Sequence, residues 1–281
     1  MKITGLSPSS IDLWLQCPRK FHAEKYEGRS GGTGEAAVMG TLVHLILERF
    51  MGLPPGERTI KAARELTLAA WPEFVDSDDW AALVATGAPP EQTGFRRRVW
   101  ASVCGYFQIE NPQQVEVLAT ERFLSVEVGG VPIRGIVDRL ERDVFDDVVV
   151  SDYKTGKVPA PWFRAGKYRQ LNLYAAMIEQ LDGVRPVQGR LLFTSFGEVI
   201  ATTIDAESVA AAVEVAAGVW DDVAASEQSG EWTPKPGALC GWCPFVAECP
   251  EGLAEIRDRR AAGKLKATAP AWELAGDGEA G

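Results

Sequence analysis

The pattern of apolar and polar positions predicts a helical first part of the chain and a mixed second part. Apolar residues recur at helical spacing before residue 110 and then alternate with polar residues as strands do. The predicted helices of the first part span 8–16, 40–51, 58–71 and 91–109. The second part is predicted to contain strands at 114–128, 131–140, from 148, 187–193 and 198–204, with helices at 168–181 and 206–225.

The order of these elements predicts an α/β fold. Helices are followed by a three-strand meander, a helix and further strands. Gly129-Gly130 indicates a hairpin turn inside the meander, and Val148-Val149-Val150 is apolar enough for a central strand. We therefore expect a mixed central sheet flanked by helices.

The chain is long enough for one large domain with a small appendage. We expect a main domain at 1–225 with a helical insertion at about 55–112, followed by a Pro-, Gly-, Trp- and Cys-rich segment at 226–255. The tail at 256–281 is expected to be partly flexible, because it is rich in Ala and Gly from about Lys264. The Gly-rich stretch 30–34 is expected to be a loop.

The net charge of −10 argues against a nucleic-acid partner, but the charge is unevenly distributed. From Lys154 to Arg190, seven Lys or Arg residues accompany two acids, Glu179 and Asp182. A solvated helix face is the alternative interpretation of this basic stretch. The sequence begins with no secretory pattern and contains no apolar run that could span a bilayer, so we expect a cytoplasmic protein with no membrane partner.

An acid-x-Lys triplet follows the apolar third strand. Asp152 and Lys154 are two positions apart and therefore project from one face of the strand, while Asp138 lies on the preceding strand and could sit beside Asp152. Two close carboxylates repel each other unless a cation lies between them, and hard oxygen ligands suit Mg²⁺ or Mn²⁺. A strand-end surface ion pair is the alternative interpretation of the triplet.

His44 is one of two histidines and lies within the apolar helix that follows Gly40. Burial there would be costly without a polar partner. A satisfied core histidine and a third metal ligand both fit this position.

Four of the five cysteines call for a common explanation. Cys240 and Cys243 form a C-x₂-C pair, Cys249 follows after five residues, and Cys17 lies more than two hundred positions upstream. An odd cysteine count without an export signal makes a disulfide framework a poor explanation. Four thiolates can instead hold a zinc ion or an iron–sulfur cluster, whereas Cys104 is expected to be buried in an apolar run.

These pieces together resemble the RecB-like branch of the PD-(D/E)XK nucleases, which includes the nuclease domains of RecB and AddB and the CRISPR-associated iron–sulfur exonucleases. The matching motifs stand in the family's order across residues 6–250. They are Leu6-Ser7-Pro8-Ser9-Ser10 with Cys17-Pro18, Gly40-Thr41-Leu42-Val43-His44, Gly135-Ile136-Val137-Asp138, Asp152-Tyr153-Lys154-Thr155-Gly156, Gln170 with Tyr174, and the terminal cysteines.

The resemblance implies a role for each matching residue. His44, Asp138, Asp152 and the backbone carbonyl of Tyr153 would bind Mg²⁺ or Mn²⁺, and Lys154 would be the catalytic lysine. Further residues that would face the active site and DNA are Gln170 and Tyr174, four positions apart on one helix face, and Glu121, for which Glu116 and Glu127 are nearby competitors.

The resemblance also implies a [4Fe–4S] cluster on Cys17, Cys240, Cys243 and Cys249, with a structural role. The expected fold is then a restriction-endonuclease-like core with a C-terminal iron–sulfur segment. The expected activity is metal-dependent exonuclease hydrolysis of DNA from its ends, favouring single strands. The expected setting is DNA repair or recombination, or phage- or CRISPR-type DNA processing, with a helicase or recombination protein as candidate partner.

Two alternatives to this function remain open at the level of the sequence. One is a catalytically silent DNA-binding scaffold subunit of a helicase–nuclease complex, and the other is a metal-dependent hydrolase of a different substrate. The scaffold would be expected to have lost at least one of His44, Asp138, Asp152 and Lys154, yet all four are present. No Gly-x₄-Gly-Lys-Ser/Thr motif occurs, so any helicase activity would come from a partner.

Overall fold

The structure, a computed structural model, describes residues 3–31, 34–87 and 90–276. Its helices are α1 (Pro8–Gln16), α2 (Pro18–Lys25), α3 (Glu35–Met51), α4 (Ile60–Val75), α5 (Asp78–Ala85), α6 (Gln92–Ile109), α7 (Ala165–Asp182), α8 (Ala206–Ser229) and α9 (Pro250–Ala261). Its strands are β1 (Glu116–Val128), β2 (Val131–Arg142), β3 (Val148–Lys154), β4 (Gln188–Phe193) and β5 (Glu198–Thr203).

The five strands form one mixed sheet in the order β1-β2-β3-β4-β5. β3 is central, antiparallel to β2 and parallel to β4, while β1 and β5 complete the edges in antiparallel pairing. α7 makes the crossover between the parallel strands, as such a pair requires. The predicted α/β fold with a mixed sheet flanked by helices is confirmed.

Local sequence explains where several elements begin and end. Ser7 caps α1 through a reciprocal hydrogen-bond pair with Ser10, and the helix ends at Cys17 before Pro18, as predicted. Gly129 and Gly130 both have positive φ angles, 59° and 78°, which the tight β1–β2 turn requires. The sequence patterns missed α2, α5 and α9, which have at most twelve residues and short apolar faces.

The chain divides into two compact units. The first contains the described parts of 1–32 and 218–281, and the second contains those of 33–217, so α8 contributes residues to both. In the second unit, α3 is the centre of a hydrophobic core that it forms with α4, α5 and α6, to which Tyr153 of β3 also contributes. The predicted buried helix around 40–51 is therefore confirmed, although it begins earlier, at Glu35.

The C-terminal part of the first unit contains a small apolar cluster around α9. Leu265, Ala269 and Ala271 pack against Ile256 of α9, and the Arg260 guanidinium lies 4.4 Å from the centre of the Trp272 ring. The described residues up to Gly276 thus pack against α9, and the partial flexibility expected of the tail stays a prediction. Residues 277–281 lie outside the described part of the chain.

Two smaller expectations have different outcomes. Cys104 is half-buried rather than buried, because it lies on the less covered side of α6. Of the stretch 30–34 expected to be a loop, 32 and 33 lie outside the described residues, and the others lie in neither a helix nor a strand. In the described ranges, no helix is long and apolar enough to cross a membrane.

Candidate active site

The candidate site lies in the second unit, where β1, β2 and β3 run side by side. Arg139 of β2 is paired with Ser151 of β3, so the preceding Asp138 and the following Asp152 are neighbours across the two strands. Both carboxylates are buried. The sheet register therefore brings together two acids that are fourteen positions apart in the sequence.

His44, Glu121 and Asp138 form a compact group of potential metal ligands. One ligand atom from each lies within 4.8 Å of the others. The Nδ1 atom of His44 is 3.4 Å from Oδ2 of Asp138 and 3.9 Å from Oε1 of Glu121. One nitrogen and two carboxylate oxygens converge at this point, a donor set that suits a divalent cation such as Mn²⁺ or Mg²⁺.

Glu121 enters this group through an unusual backbone conformation. Its φ angle is +44°, within a strand and on a residue that is not glycine. Such a conformation costs on the order of 1–3 kcal/mol and is concentrated at functional sites. The competing acids Glu116 and Glu127 are exposed, so the sequence-based choice of Glu121 agrees with the geometry.

His44 is oriented by the backbone of β3. Its Nε2 atom lies 3.0 Å from the carbonyl oxygen of Tyr153. A carbonyl oxygen can only accept, so Nε2 carries the proton, and in the neutral ring the lone pair of Nδ1 faces the two carboxylates. Burial alone would lower the pKa of His44, but the hydrogen bond and charge of Asp138, with the charges of Asp152 and Glu121, outweigh it and raise the pKa.

The two carboxylates of the group have different surroundings. Asp138 accepts a hydrogen bond of 2.7 Å from the backbone N–H of Tyr153. Burial and the nearby charge of Asp138 raise the pKa of Glu121 to about 7, against a partial lowering by His44. The repulsion between these acids is the electrostatic strain that a bound cation relieves.

Asp152 lies outside this group of three and binds a different pair of side chains. Its Oδ2 is 2.5 Å from Nζ of Lys154, and its Oδ1 accepts a 2.9 Å hydrogen bond from Nε2 of Gln170. Burial raises the pKa of Asp152, while the Lys154 charge opposes that shift. Gln170 also donates to the hydroxyl of Tyr174 on the next turn of α7, over 3.2 Å.

The predicted site residues thus fall into two contiguous sets. His44, Glu121 and Asp138 face one another, and Asp152, Lys154, Gln170 and Tyr174 form a chain of hydrogen bonds and an ion pair. The carbonyl of Tyr153, predicted as a metal ligand, is occupied on one side by His44.

A buried network of charged side chains next to β3 was not predicted from the sequence. Arg139 has no exposed side-chain surface and pairs with Glu110 at 2.6 Å and with Glu141 at 2.5 Å. Arg190 joins both acids at 2.8 Å, and Arg139 also donates to the hydroxyl of Tyr153 over 3.3 Å. A signal was available, because Asp138-Arg139-Leu140-Glu141 places charges on both faces of a central strand, where one face should be apolar.

The four candidate cluster cysteines all belong to the first unit. Backbone N–H groups donate to three of the sulfur atoms, from Lys235 to Cys17 (3.5 Å), from Gly237 to Cys240 (3.3 Å) and from Gly252 to Cys249 (3.3 Å). Burial raises the pKa of Cys243, a backbone hydrogen bond at Phe245 lowers it, and the charges of Cys17 and Cys240 raise it further. Among the described residues, no three cysteine sulfur atoms lie within 4.8 Å of one another.

A mixed sheet with an acid-x-Lys pair on its central strand, beside a His/Glu/Asp group, is the arrangement of a metal-dependent nuclease. The sequence profile of the PD-(D/E)XK nuclease superfamily matches residues 5–250, and the chain belongs to that superfamily. Its members are phosphodiester hydrolases that use divalent metals, so nucleic acid is the substrate class.

A solved structure shows the same fold. A candidate exonuclease from Eubacterium rectale is 11% identical, with 89% of this chain and 94% of that chain covered and a TM-score of 0.55. The structure of SSO0001 is more distant, with a TM-score of 0.40, 15% identity and coverage of 89% of this chain and 88% of that chain. No curated protein matches this chain.

Proposed function

We propose that this protein is a metal-dependent exonuclease of the RecB-like branch that hydrolyses DNA from ends and favours single strands. The observation that carries the proposal is the convergence of His44, Glu121 and Asp138 beside the Asp152–Lys154 pair. A decayed scaffold would not be expected to keep both sets. The biological setting that we propose is DNA repair or recombination, or phage or CRISPR-type DNA processing, in the cytoplasm and with a helicase or recombination protein as partner.

The proposed metal site is built from His44, Glu121 and Asp138, with Asp152 and the Tyr153 carbonyl as the remaining ligand candidates. The convergent donors and the raised pKa of Glu121 support a cation at this point. A bound Mg²⁺ or Mn²⁺ supplies Lewis-acid polarisation of the scissile phosphate and lowers the pKa of water. Asp152 becomes a ligand in this proposal if Lys154 turns from it toward the substrate.

Lys154 is the proposed catalytic residue. Its ammonium group can orient the attacking water and stabilise negative charge that develops on the phosphate. Asp152 holds that ammonium at 2.5 Å, and Gln170 fixes Asp152 from the other side. Tyr174 limits the rotation of Gln170 through its hydroxyl. Gln170 and Tyr174 therefore act as positioning residues for the reacting groups.

The test is digestion of end-labelled linear DNA by the purified full-length chain in Mg²⁺ and in Mn²⁺. Single strands, blunt duplexes and covalently closed circles of one sequence are compared. We expect loss of end label from single strands first, slower loss from duplex ends and no cleavage of circles. Absence of cleavage of every substrate would overturn the nuclease proposal in favour of a scaffold, and cleavage of circles would identify an endonuclease.

We further propose a structural [4Fe–4S] cluster on Cys17, Cys240, Cys243 and Cys249. Backbone N–H groups that point at cysteine sulfurs suit thiolate ligands, because they stabilise negative charge on sulfur. The choice of a cluster over a tetrahedral zinc ion rests on spacing: one cysteine far upstream and a C-x₂-C-x₅-C set near the end resemble the iron–sulfur members of this family.

A further inference from the structure

Two large aromatic side chains lie exposed in the segment between β3 and α7. Trp162 is 76% exposed and Phe163 is 72% exposed, and their ring centres are 6.1 Å apart. Aromatic residues of this size are normally well buried, so an adjacent exposed pair needs an explanation. The segment contains Pro159 and Pro161, and Arg164 donates to the carbonyl oxygen of Pro159 over 3.1 Å, so its backbone has restricted freedom.

The segment is also basic. From Tyr153 to Ile178 the chain contains Lys154, Lys157, Arg164, Lys167 and Arg169 and no Asp or Glu, although the protein as a whole carries a net charge of −10. Lys154 of this segment binds Asp152, and the other cations of the wider basic stretch, Arg185 and Arg190, bind Glu179 and Glu110. The chain on both sides of the two rings is therefore basic in composition, in contrast to the acidic balance of the whole protein.

The segment that contains the aromatic pair lies between two residues of the candidate active site along the chain. Lys154 ends β3 before the segment, and Gln170, which binds Asp152, lies on α7 directly after it. Gln170 is five positions after Ala165, where α7 begins, which is about 7.5 Å along the helix axis. Phe163 lies two positions before that start, so the rings and the residue that binds Asp152 belong to neighbouring parts of the chain.

We propose that Trp162 and Phe163 form a stacking platform for the bases of single-stranded DNA next to the scissile phosphate. This inference rests on the proposed nuclease function and names the part of that site that selects the strand. Aromatic faces stack on any base, and cations beside them attract the phosphates, so binding would be independent of sequence. Bases inside a duplex hide their faces, so the platform favours single strands and frayed ends.

The experiment measures binding without cleavage. A fluorescein-labelled twenty-nucleotide oligothymidylate is titrated by anisotropy in the absence of divalent metal, with the full-length wild type and the Trp162→Ala and Phe163→Ala variants. A stacked base contributes about 1–3 kcal/mol, so each variant is expected to weaken binding roughly 5- to 150-fold. Trp162→Phe is expected to keep most of the affinity, because it keeps an aromatic face.

Two controls distinguish a loss of base stacking from a loss of charge attraction or of folding. Phe145, 81% exposed in the turn between β2 and β3, is the matched aromatic residue, and Phe145→Ala is expected to leave binding unchanged. An abasic strand of equal length keeps the phosphates but has no bases. Trp162→Ala should barely change its affinity, and the slope of log affinity against log salt should stay that of the wild type.

Equal affinity of wild type and Trp162→Ala for oligothymidylate would overturn the inference, and so would an equal loss with the abasic strand. If DNA binding is intact but the variant loses a protein partner, the rings form a protein interface and the inference is also wrong. The Trp162→Ala variant could lose affinity only for strands that carry bases, while the wild type cleaves no DNA. That combination would overturn the nuclease proposal alone. The two proposals therefore fail separately.

Discussion

At the residue scale, the candidate metal ligands are separate from the proposed catalytic lysine. Lys154 contacts Asp152 and is not part of the group of His44, Glu121 and Asp138. The ligand atoms that converge would bind a cation without help from the lysine, whereas turnover would depend on its ammonium group. The two steps can therefore be tested independently.

Removal of the Lys154 ammonium should slow turnover strongly and preserve metal binding. We expect Lys154→Ala to lower kcat on single-stranded DNA by on the order of 10²- to 10³-fold, the usual cost of losing one transition-state donor. The Mn²⁺-induced increase in melting temperature should persist. Lys61→Ala, at an exposed position of α4, is the control and should change neither quantity. Unchanged kcat in Lys154→Ala would mean that the active site lies elsewhere.

Glu121 should make the stability of the metal-free protein depend on pH. Its pKa is raised to about 7 in the folded state, so between pH 4.5 and 7 the folded state keeps a proton that the unfolded state has released. Stability should therefore fall as pH rises through this window. Glu121→Gln should flatten the decline, measured as urea midpoints from pH 4.5 to 8 in chelator. A decline of equal size in both proteins would contradict the prediction.

Much of this site could be predicted from the sequence, because the residues follow the regular spacing of a strand or of a helix. Asp152 and Lys154 are two positions apart on a strand, and Gln170 and Tyr174 are four apart on a helix, so one period fixes each pair. Glu121 was ambiguous because its left-handed backbone breaks that alternation. The placement of Asp152 beside Lys154 and Gln170 depends on side-chain rotamers, which no sequence pattern encodes.

At the element scale, β3 contacts a buried network of charged residues through the side chain of Tyr153. The network consists of Arg139, Glu110, Glu141 and Arg190. Each arginine contacts both acids, so the network is neutral and every charge has a partner. Tyr153 connects this network to the site, because its hydroxyl accepts from Arg139 and its backbone binds His44 and Asp138. The network therefore fixes the backbone that positions the candidate metal ligands His44 and Asp138.

Removal of Arg139 should leave two buried carboxylates with one arginine. We expect Arg139→Leu to lower the free energy of unfolding by about 3–5 kcal/mol, measured by urea denaturation, since breaking a buried ion pair costs that much. Arg142→Leu is the control, because this residue is only partly buried and its partners are exposed. A loss of less than about 1 kcal/mol for Arg139→Leu would show that the acids find other partners.

Close helix-to-strand packing makes Gly105 of α6 a second sensitive position. A Cβ atom at Gly105 would lie 1.9 Å from the carbonyl oxygen of Thr194, just after β4. Backbone must move to relieve this overlap, so Gly105→Ala should destabilise by about 1–3 kcal/mol or more. Gly218→Ala, in α8 with no atom within 4 Å of its Cβ, should instead be neutral or stabilising by up to about 1 kcal/mol. Melting curves of the two variants test this contrast directly.

The sequence predicted the elements of the second unit better than those of the first. Long helices and strands such as α3 and β2 contain several repeats of their hydrophobic period. The first unit is built from α1, α2, α9, the C-terminal part of α8 and irregular segments, and its shorter elements give a weaker period. The packing of Leu265 and Ala271 on α9 depends on this tertiary context, which composition alone does not indicate.

At the scale of the whole molecule, the proposed cluster should stabilise the first unit. Cys243→Ala should lose iron, sulfide and the broad absorbance near 400 nm of protein purified without oxygen, and it should become less soluble, because metal binding is part of the folding free energy. Cys104→Ala is the matched control and should retain full metal content, since Cys104 belongs to the other unit. Stoichiometric zinc without iron or sulfide in the wild type would refute the cluster.

The division of the first unit between both ends of the described chain has a consequence for biosynthesis. Residues 33–217 leave the ribosome as one continuous block, whereas Cys17 emerges more than two hundred residues before Cys240. At about 5–20 residues per second, that interval is roughly 10–45 s. Throughout it, the Cys17 thiol is open to oxidants and to free metal ions. In cells that make this protein under oxidising conditions, the free Cys17 thiol would therefore be expected to be lost during translation, before any cluster is assembled.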